Sequence, residues 1–129
     1  MTDGTKDSPW QLTTAPGTPQ HTMYVDGDEF ICQVGSATLG CHARGIDDLP
    51  AWLTEQGGWV PLGAADEKKP VTEGTVEEWG RSGSNPVGGW YGLRNGYRGR
   101  FGMYLPPLLE HLGLVELTHD SRNNLVRAL

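Results

Sequence analysis

Residues 20–43 read QHTMYVDGDEFICQVGSATLGCHA, and apolar and polar positions alternate through them with a period of two. Met23 and Val25 fall on one side of the first run; Phe30, Cys32 and Val34 share a face of the second, and Leu39, Cys41 and Ala43 share a face of the third. Asp26-Gly27 is a residue pair that suits a type I′ turn, and Gly35-Ser36 suits a type II′ turn with glycine at the first central position. The stretch therefore predicts a three-stranded antiparallel meander over 20–25, 28–34 and 37–43.

Working outward, Trp10 and Leu12 alternate with polar neighbours as a short strand does, and Pro16, Gly17 and Pro19 mark a loop after it. Residues 1–9 are polar and are expected to form a disordered tail. Downstream, Asp47 and Asp48 ahead of Pro50 predict a helix start with aspartate as N-cap, and Gly57-Gly58 predicts its end at about Gln56. WVPLGAADEKKP (59–70) reads as a loop. Thr75 and Glu78 have capping-box spacing, and Val76 and Trp79 give the short helix behind them, ending near Ser82, one apolar face. Phe101, Leu105, Leu108, Leu109 and Leu112 lie at helical spacing. Pro106-Pro107 interrupts that pattern, which leaves either a helix starting near Pro106 or a kink there. Gly113 is placed to end it, and LVELTH, a turn at 120–124 and LVRAL predict a closing hairpin.

With 129 residues, 36% hydrophobic residues and 19 glycines, the chain is expected to be an α+β fold. The expected layout is one compact domain over 10–129, made of a sheet plus helix (10–65) and a helical part with a C-terminal hairpin (70–129).

Charge is divided along the chain. Residues 1–80 carry four Lys/Arg against thirteen acids, whereas 81–129 carry six Arg against three acids, within a net charge of −6. The basic excess centres on NPVGGWYGLRNGYRGRFG (85–102), which holds six glycines, four aromatics, three arginines and no acid. Guanidinium groups pair with phosphates and rings stack on bases, so Arg94, Arg98, Arg100, Trp90 and Tyr97 are the candidate contacts for nucleic acid or another anion. In the competing structural interpretation the glycines supply turns, and Trp90, Tyr91 and Phe101 seal the core beneath the arginines.

Other chemistry has weaker signals. With Gly35-Ser36 as the turn, Cys32 and Cys41 are diagonal neighbours; with Ser36-Ala37 they face one another. Turn chemistry favours the first register, which predicts two buried, reduced thiols. An Asp26-Gly27 turn sets His21 opposite Cys32, but the spacing matches no zinc signature. His42, His111 and His119 have no nucleophile paired with them in sequence, no serine sits in a G-x-S-x-G elbow, and neither glycine-rich nucleotide fingerprint is present. No catalytic residue, metal or cofactor is expected. The N-terminus lacks the basic and apolar regions of a secretory signal, and no run approaches the ~20 apolar residues of a membrane span, so a cytoplasmic location without membrane contact is expected.

NPVGGWYGLRNGYRGRF (85–101), YLPPLLEHLGLVEL (104–117) and SRNNLVRAL (121–129) resemble short bacterial proteins grouped as a domain of unknown function. WQLTTAPGT (10–18), the sheet segment and PLGAADEKKPVTEGTVEEW (61–79) extend that resemblance over nearly the whole chain. It carries no assigned activity, so it transfers no residue roles. The order helix, helix, LGLVEL, turn and closing strand is also similar to a winged-helix ending, in which the helix before the hairpin enters the major groove. Here Arg98 and Arg100 stand near the start of that helix, while the double proline, Glu110 and a wing whose only cation is Arg122 depart from the pattern. These features point first to a small binding module for nucleic acid or another anion. A protein-interaction or homodimerising subunit comes second, and an enzyme using the arginines as an anion pocket third.

Overall fold

The computed structural model describes residues 4–13, 20–34, 37–63, 68–93, 100–119 and 124–129. The alternating stretch forms β2 (Gln20–Asp26), β3 (Glu29–Val34) and β4 (Ala37–His42), and β1 (Trp10–Thr13) adds to the outer edge of β2. The sheet is antiparallel throughout, in the order β1-β2-β3-β4.

The β3–β4 register is the one that turn chemistry favoured: Cys32 faces Leu39 and Phe30 faces Cys41. The β2–β3 register differs from expectation. Asp26 pairs with Glu29, so the turn residues are Gly27 and Asp28, and Met23 rather than His21 stands opposite Cys32. Of the two turn residues only Gly27 has positive φ, at 65°. A turn that begins on glycine places the left-handed residue where no Cβ resists it, whereas the Asp26-Gly27 turn needs aspartate there as well. His21 instead pairs with Leu12 of β1. Upstream, Val25 donates its N–H to the Gly4 carbonyl at 2.8 Å and Thr5 bridges Ser8; residues 1–3 lie outside the described ones.

Helix α1 spans Gly45–Gln56, with Arg44 rather than aspartate at the N-cap. Asp47 and Asp48 lie inside its first turn, where their charge favours the positive end of the helix without capping it. Gly57, at φ 73°, closes the helix by donating to the Leu53 carbonyl, as its sequence position predicts. Strand β5 (Val60–Pro61) lies within the stretch expected to be a loop. Two residues offer no period to read, and Pro61 is tolerated because β5 is an edge strand.

Thr75 caps α2 (Val76–Trp79), accepting the Glu78 N–H at 3.2 Å. The reciprocal contact of Glu78 goes to the Gly74 N–H at 3.5 Å. Helix α3 runs from Phe101 to His111 through both prolines, so it does not start near Pro106. Pro106 and Pro107 cannot donate to the carbonyls one turn back, but both rings are buried, and packing of the helix outweighs that local cost. Gly113 (φ 79°) donates to the Glu110 carbonyl and Leu114 to the Leu109 carbonyl, a Schellman closure. Strands β6 (Val115–Leu117) and β7 (Leu125–Ala128) form the closing hairpin, and β5 joins it in the order β5-β7-β6.

One apolar cluster unites these elements. Met23, Phe30, Cys32 and Leu39 from the first sheet meet Leu49 and Leu53 of α1, Leu105, Leu108 and Leu109 of α3, and Val115 and Val126 of the second sheet. The fold is thus mixed α+β, and α3 packs against both sheets: His21 on β2 meets the ring of Tyr104 edge-on at 4.9 Å, and β6 lies along the helix.

Candidate functional site

The segment 85–102 is tied down at both ends. At its start the buried Asn85 side chain donates to the carbonyls of Trp79 and Gly89, each at 2.7 Å, and accepts the N–H groups of Val87 and Gly89, each at 3.1 Å. That uses both donors and both lone pairs of one amide. Gly88 supplies the positive φ (77°) that this tight loop requires. Tyr91 then donates its N–H to Gly80 and accepts that of His42, and Leu93 donates to Gly40, so the chain runs briefly along the free edge of β4.

The aromatics divide between core and surface. Tyr91 is fully buried, its ring stacked against both Trp79 (5.0 Å) and Phe101 (5.1 Å), which are themselves 6.0 Å apart, with Trp52 on Trp79 at 5.3 Å. Its hydroxyl donates to Asp48 Oδ2 at 2.8 Å. Burial, and then that bond to a carboxylate, push the Tyr91 hydroxyl above its ordinary range. Trp90 is half-buried under the guanidinium of Arg81, 4.5 Å from its ring centre.

Of the arginines named from the sequence, Arg100 is exposed and sits at the N-cap of α3 in the left-handed region (φ 63°), where it makes no side-chain cap bond. Arg94, Arg98 and Tyr97 lie outside the described residues.

Two residues that the sequence did not single out secure the far end. Glu77, 1% exposed, accepts the backbone N–H of Gly102 on Oε1 at 2.8 Å and Arg81 Nε on Oε2 at 3.0 Å. Arg81 also donates to the Lys69 carbonyl at 3.0 Å. Burial pushes the Glu77 carboxyl above its ordinary value of 4.5, with the bond from Gly102 and the charge of Arg81 opposing that shift. The four-residue spacing of Glu77 and Arg81 was the available signal, since it places both on one side of a helical turn. This carboxylate occupies the N-terminus of α3.

Cys32 and Cys41 are both buried and form no disulfide. Burial pushes the Cys32 thiol up to about 12 and raises Cys41 as well. With Phe30, Leu39, Arg100 and Tyr104 they line a cavity of about 10 Å³, room for a single water and no ligand. Among the described residues no group of three or more His, Cys, Asp or Glu is placed to hold a metal ion, and no helix is long and apolar enough to cross a membrane.

Comparisons with curated proteins and with solved structures found no match. A family model described as a family of unknown function (DUF6855) matches residues 2–129. The match spans both sheets, all three helices and the Arg/Gly/aromatic segment, and the chain belongs to that family.

Proposed function

We propose that the protein is a small binding module that contacts the phosphate backbone of nucleic acid through residues 94–100. The observation that carries this is the anchoring of that segment. Leu93 is held to β4 on one side and Gly102 to Glu77 on the other, and between them the sequence places three arginines and no acid. Fixed ends lower the ordering cost of presenting those charges.

The burial of Tyr91 and Phe101 and the cover of Arg81 over Trp90 limit base stacking. Contact with little sequence preference follows, through charge alone. The element order α1-β5-α2-α3-β6-β7 is compatible with a winged-helix ancestry, but eight of the eleven residues of α3 are buried, so groove entry by that helix forms no part of the proposal.

Fluorescence anisotropy with labelled mixed-sequence DNA and RNA, titrated at low salt, tests the proposal. Three cations predict a slope of log K against log salt of about −2 to −3. The Arg94→Ala/Arg98→Ala/Arg100→Ala variant is expected to abolish the salt-dependent component. Absence of binding at micromolar protein, or unchanged binding by the triple variant, overturns it.

A further inference from the structure

We propose, building on the phosphate contact at residues 94–100, that this contact is linked to protonation of the buried Glu77 carboxyl and tightens as pH falls. Glu77 is 1% exposed and lies behind the start of α3. Its Oε1 accepts the backbone N–H of Gly102 at 2.8 Å, and the backbone N–H of Arg100 also donates to the carboxylate. The Arg100 side chain is exposed. A phosphate on that guanidinium therefore has a buried carboxyl on the other side of the same stretch of backbone.

Among the described residues, the groups that face Glu77 come from four places. Arg81 on the turn after it bonds Oε2 at 3.0 Å; Arg100 and Gly102 offer backbone N–H groups; the Cys41 thiol approaches from β4; and Leu62 meets the Glu77 backbone through its carbonyl. Lys69 reaches the cluster through its carbonyl, which Arg81 occupies, and the neighbouring Glu78 carboxylate turns to the Gly74 N–H instead. Arg81 is the full positive charge in this set. Burial outweighs its pull and that of the N–H groups, holding the carboxyl above 4.5 and bringing its proton uptake closer to neutrality.

Charge sets the sign of the linkage. Ionised, Glu77 cancels Arg81 and opposes a phosphate at Arg100 through protein, which screens less than water does. Protonated, it does neither, and Arg81 adds a positive charge beside the three arginines of the segment. The anchor survives the change, since a protonated carboxyl still offers an acceptor oxygen to the Gly102 N–H. Phosphate thus binds the protonated form better, and by reciprocity a bound phosphate favours proton uptake by Glu77.

Anisotropy with labelled oligothymidine, from about pH 8 to about pH 5 at constant ionic strength, tests this. The wild type is expected to bind about three- to tenfold more tightly at the acid end. Glu77→Gln, neutral throughout, is expected to bind more tightly than the wild type at about pH 8 and to lose that part of the pH dependence. His42, edge-on to Tyr91, and His21, edge-on to Tyr104, are kept in this variant, so any pH dependence they supply stays in its profile. Carbon-13 NMR of the Glu77 carboxyl gives a readout that needs no variant. Its titration midpoint is expected to rise by about 0.5 to 1 pH unit with saturating oligothymidine, the same free energy as the three- to tenfold change in binding. Parallel pH profiles for the wild type and Glu77→Gln, or a midpoint that oligothymidine does not move, overturn the linkage and leave the phosphate contact standing. No binding at any pH overturns both.

Discussion

The Glu77 carboxylate accepts the backbone N–H of Gly102 at 2.8 Å across twenty-five residues of sequence. One buried side chain on a four-residue helix thereby supplies the cap that the N-terminus of α3 lacks, since Arg100 makes no side-chain cap bond. The same carboxylate holds Arg81, which in turn covers Trp90. Removing it leaves a helix N–H and a largely buried guanidinium without their acceptor. Glu77→Ala is expected to destabilise the fold by about 3 kcal/mol, read from urea denaturation midpoints. Glu77→Gln keeps an oxygen for the Gly102 N–H and is expected to lose less.

The pH dependence of that carboxyl has a definite sign. Its folded pKa is raised above 4.5, so the folded chain takes up the proton before the unfolded chain does. The stability tied to this group is complete below pH 4.5 and is lost as pH rises through the folded pKa. Measured against Glu77→Gln, the wild type is expected to gain stability as pH is lowered from neutrality toward 4.5. A relative loss over that range contradicts the burial of the carboxyl.

Gly102 tests the contact from its other side. Glycine inside a helix ordinarily costs about 1 kcal/mol relative to alanine, so propensity alone favours Gly102→Ala. A Cβ at this position, however, meets the backbone carbonyls of Leu62 and Gly63, which have no side-chain freedom to yield. Gly102→Ala is expected to lower stability by about 2 kcal/mol, and a stabilised variant in thermal melts removes the close approach between α3 and the Leu62–Gly63 backbone.

Tyr91→Phe keeps the ring contacts with Trp79 and Phe101 and deletes only the bond to Asp48. A loss of about 1 kcal/mol in denaturant midpoint is expected. A loss as large as that of Tyr91→Ala would show that the hydroxyl, rather than the ring, anchors the segment to α1.

The thiols are expected to be silent in the folded chain. Thiolate is the reactive form, and burial both raises the pKa of Cys32 and Cys41 and blocks access. Titration with a thiol reagent without reductant is expected to detect neither in the native chain and both after denaturation. Fewer than two thiols in the denatured chain contradicts the structure.

Much of the architecture was legible because it rests on local rules. Period-two alternation, a glycine at the ends of α1 and α3 and the capping role of Thr75 placed β2–β4, those two helix ends, the start of α2 and the closing hairpin, whereas α2 ends at Trp79 rather than near Ser82. Departures occur where a distant partner decides. The β2–β3 register moved because Gly27 takes the left-handed position, and β5 exists only because β7 lies beside it. Helix α3 passes through Pro106-Pro107 because its burial outweighs two missing donors. Within the candidate site, Arg100 is exposed as expected, Tyr91 and Phe101 went to the core, and Glu77 and Arg81 emerged only once α2 and α3 were brought together.

The sequence by itself determined the α+β class, the strand alternation, the glycine closes of α1 and α3 and the concentration of arginine between 94 and 100, since each depends on residue type and near neighbours. Only the tertiary structure decided which rings are core and which carboxylate caps α3. Those outcomes depend on groups far apart in sequence, where burial sets the strength of every hydrogen bond and the cost of every charge.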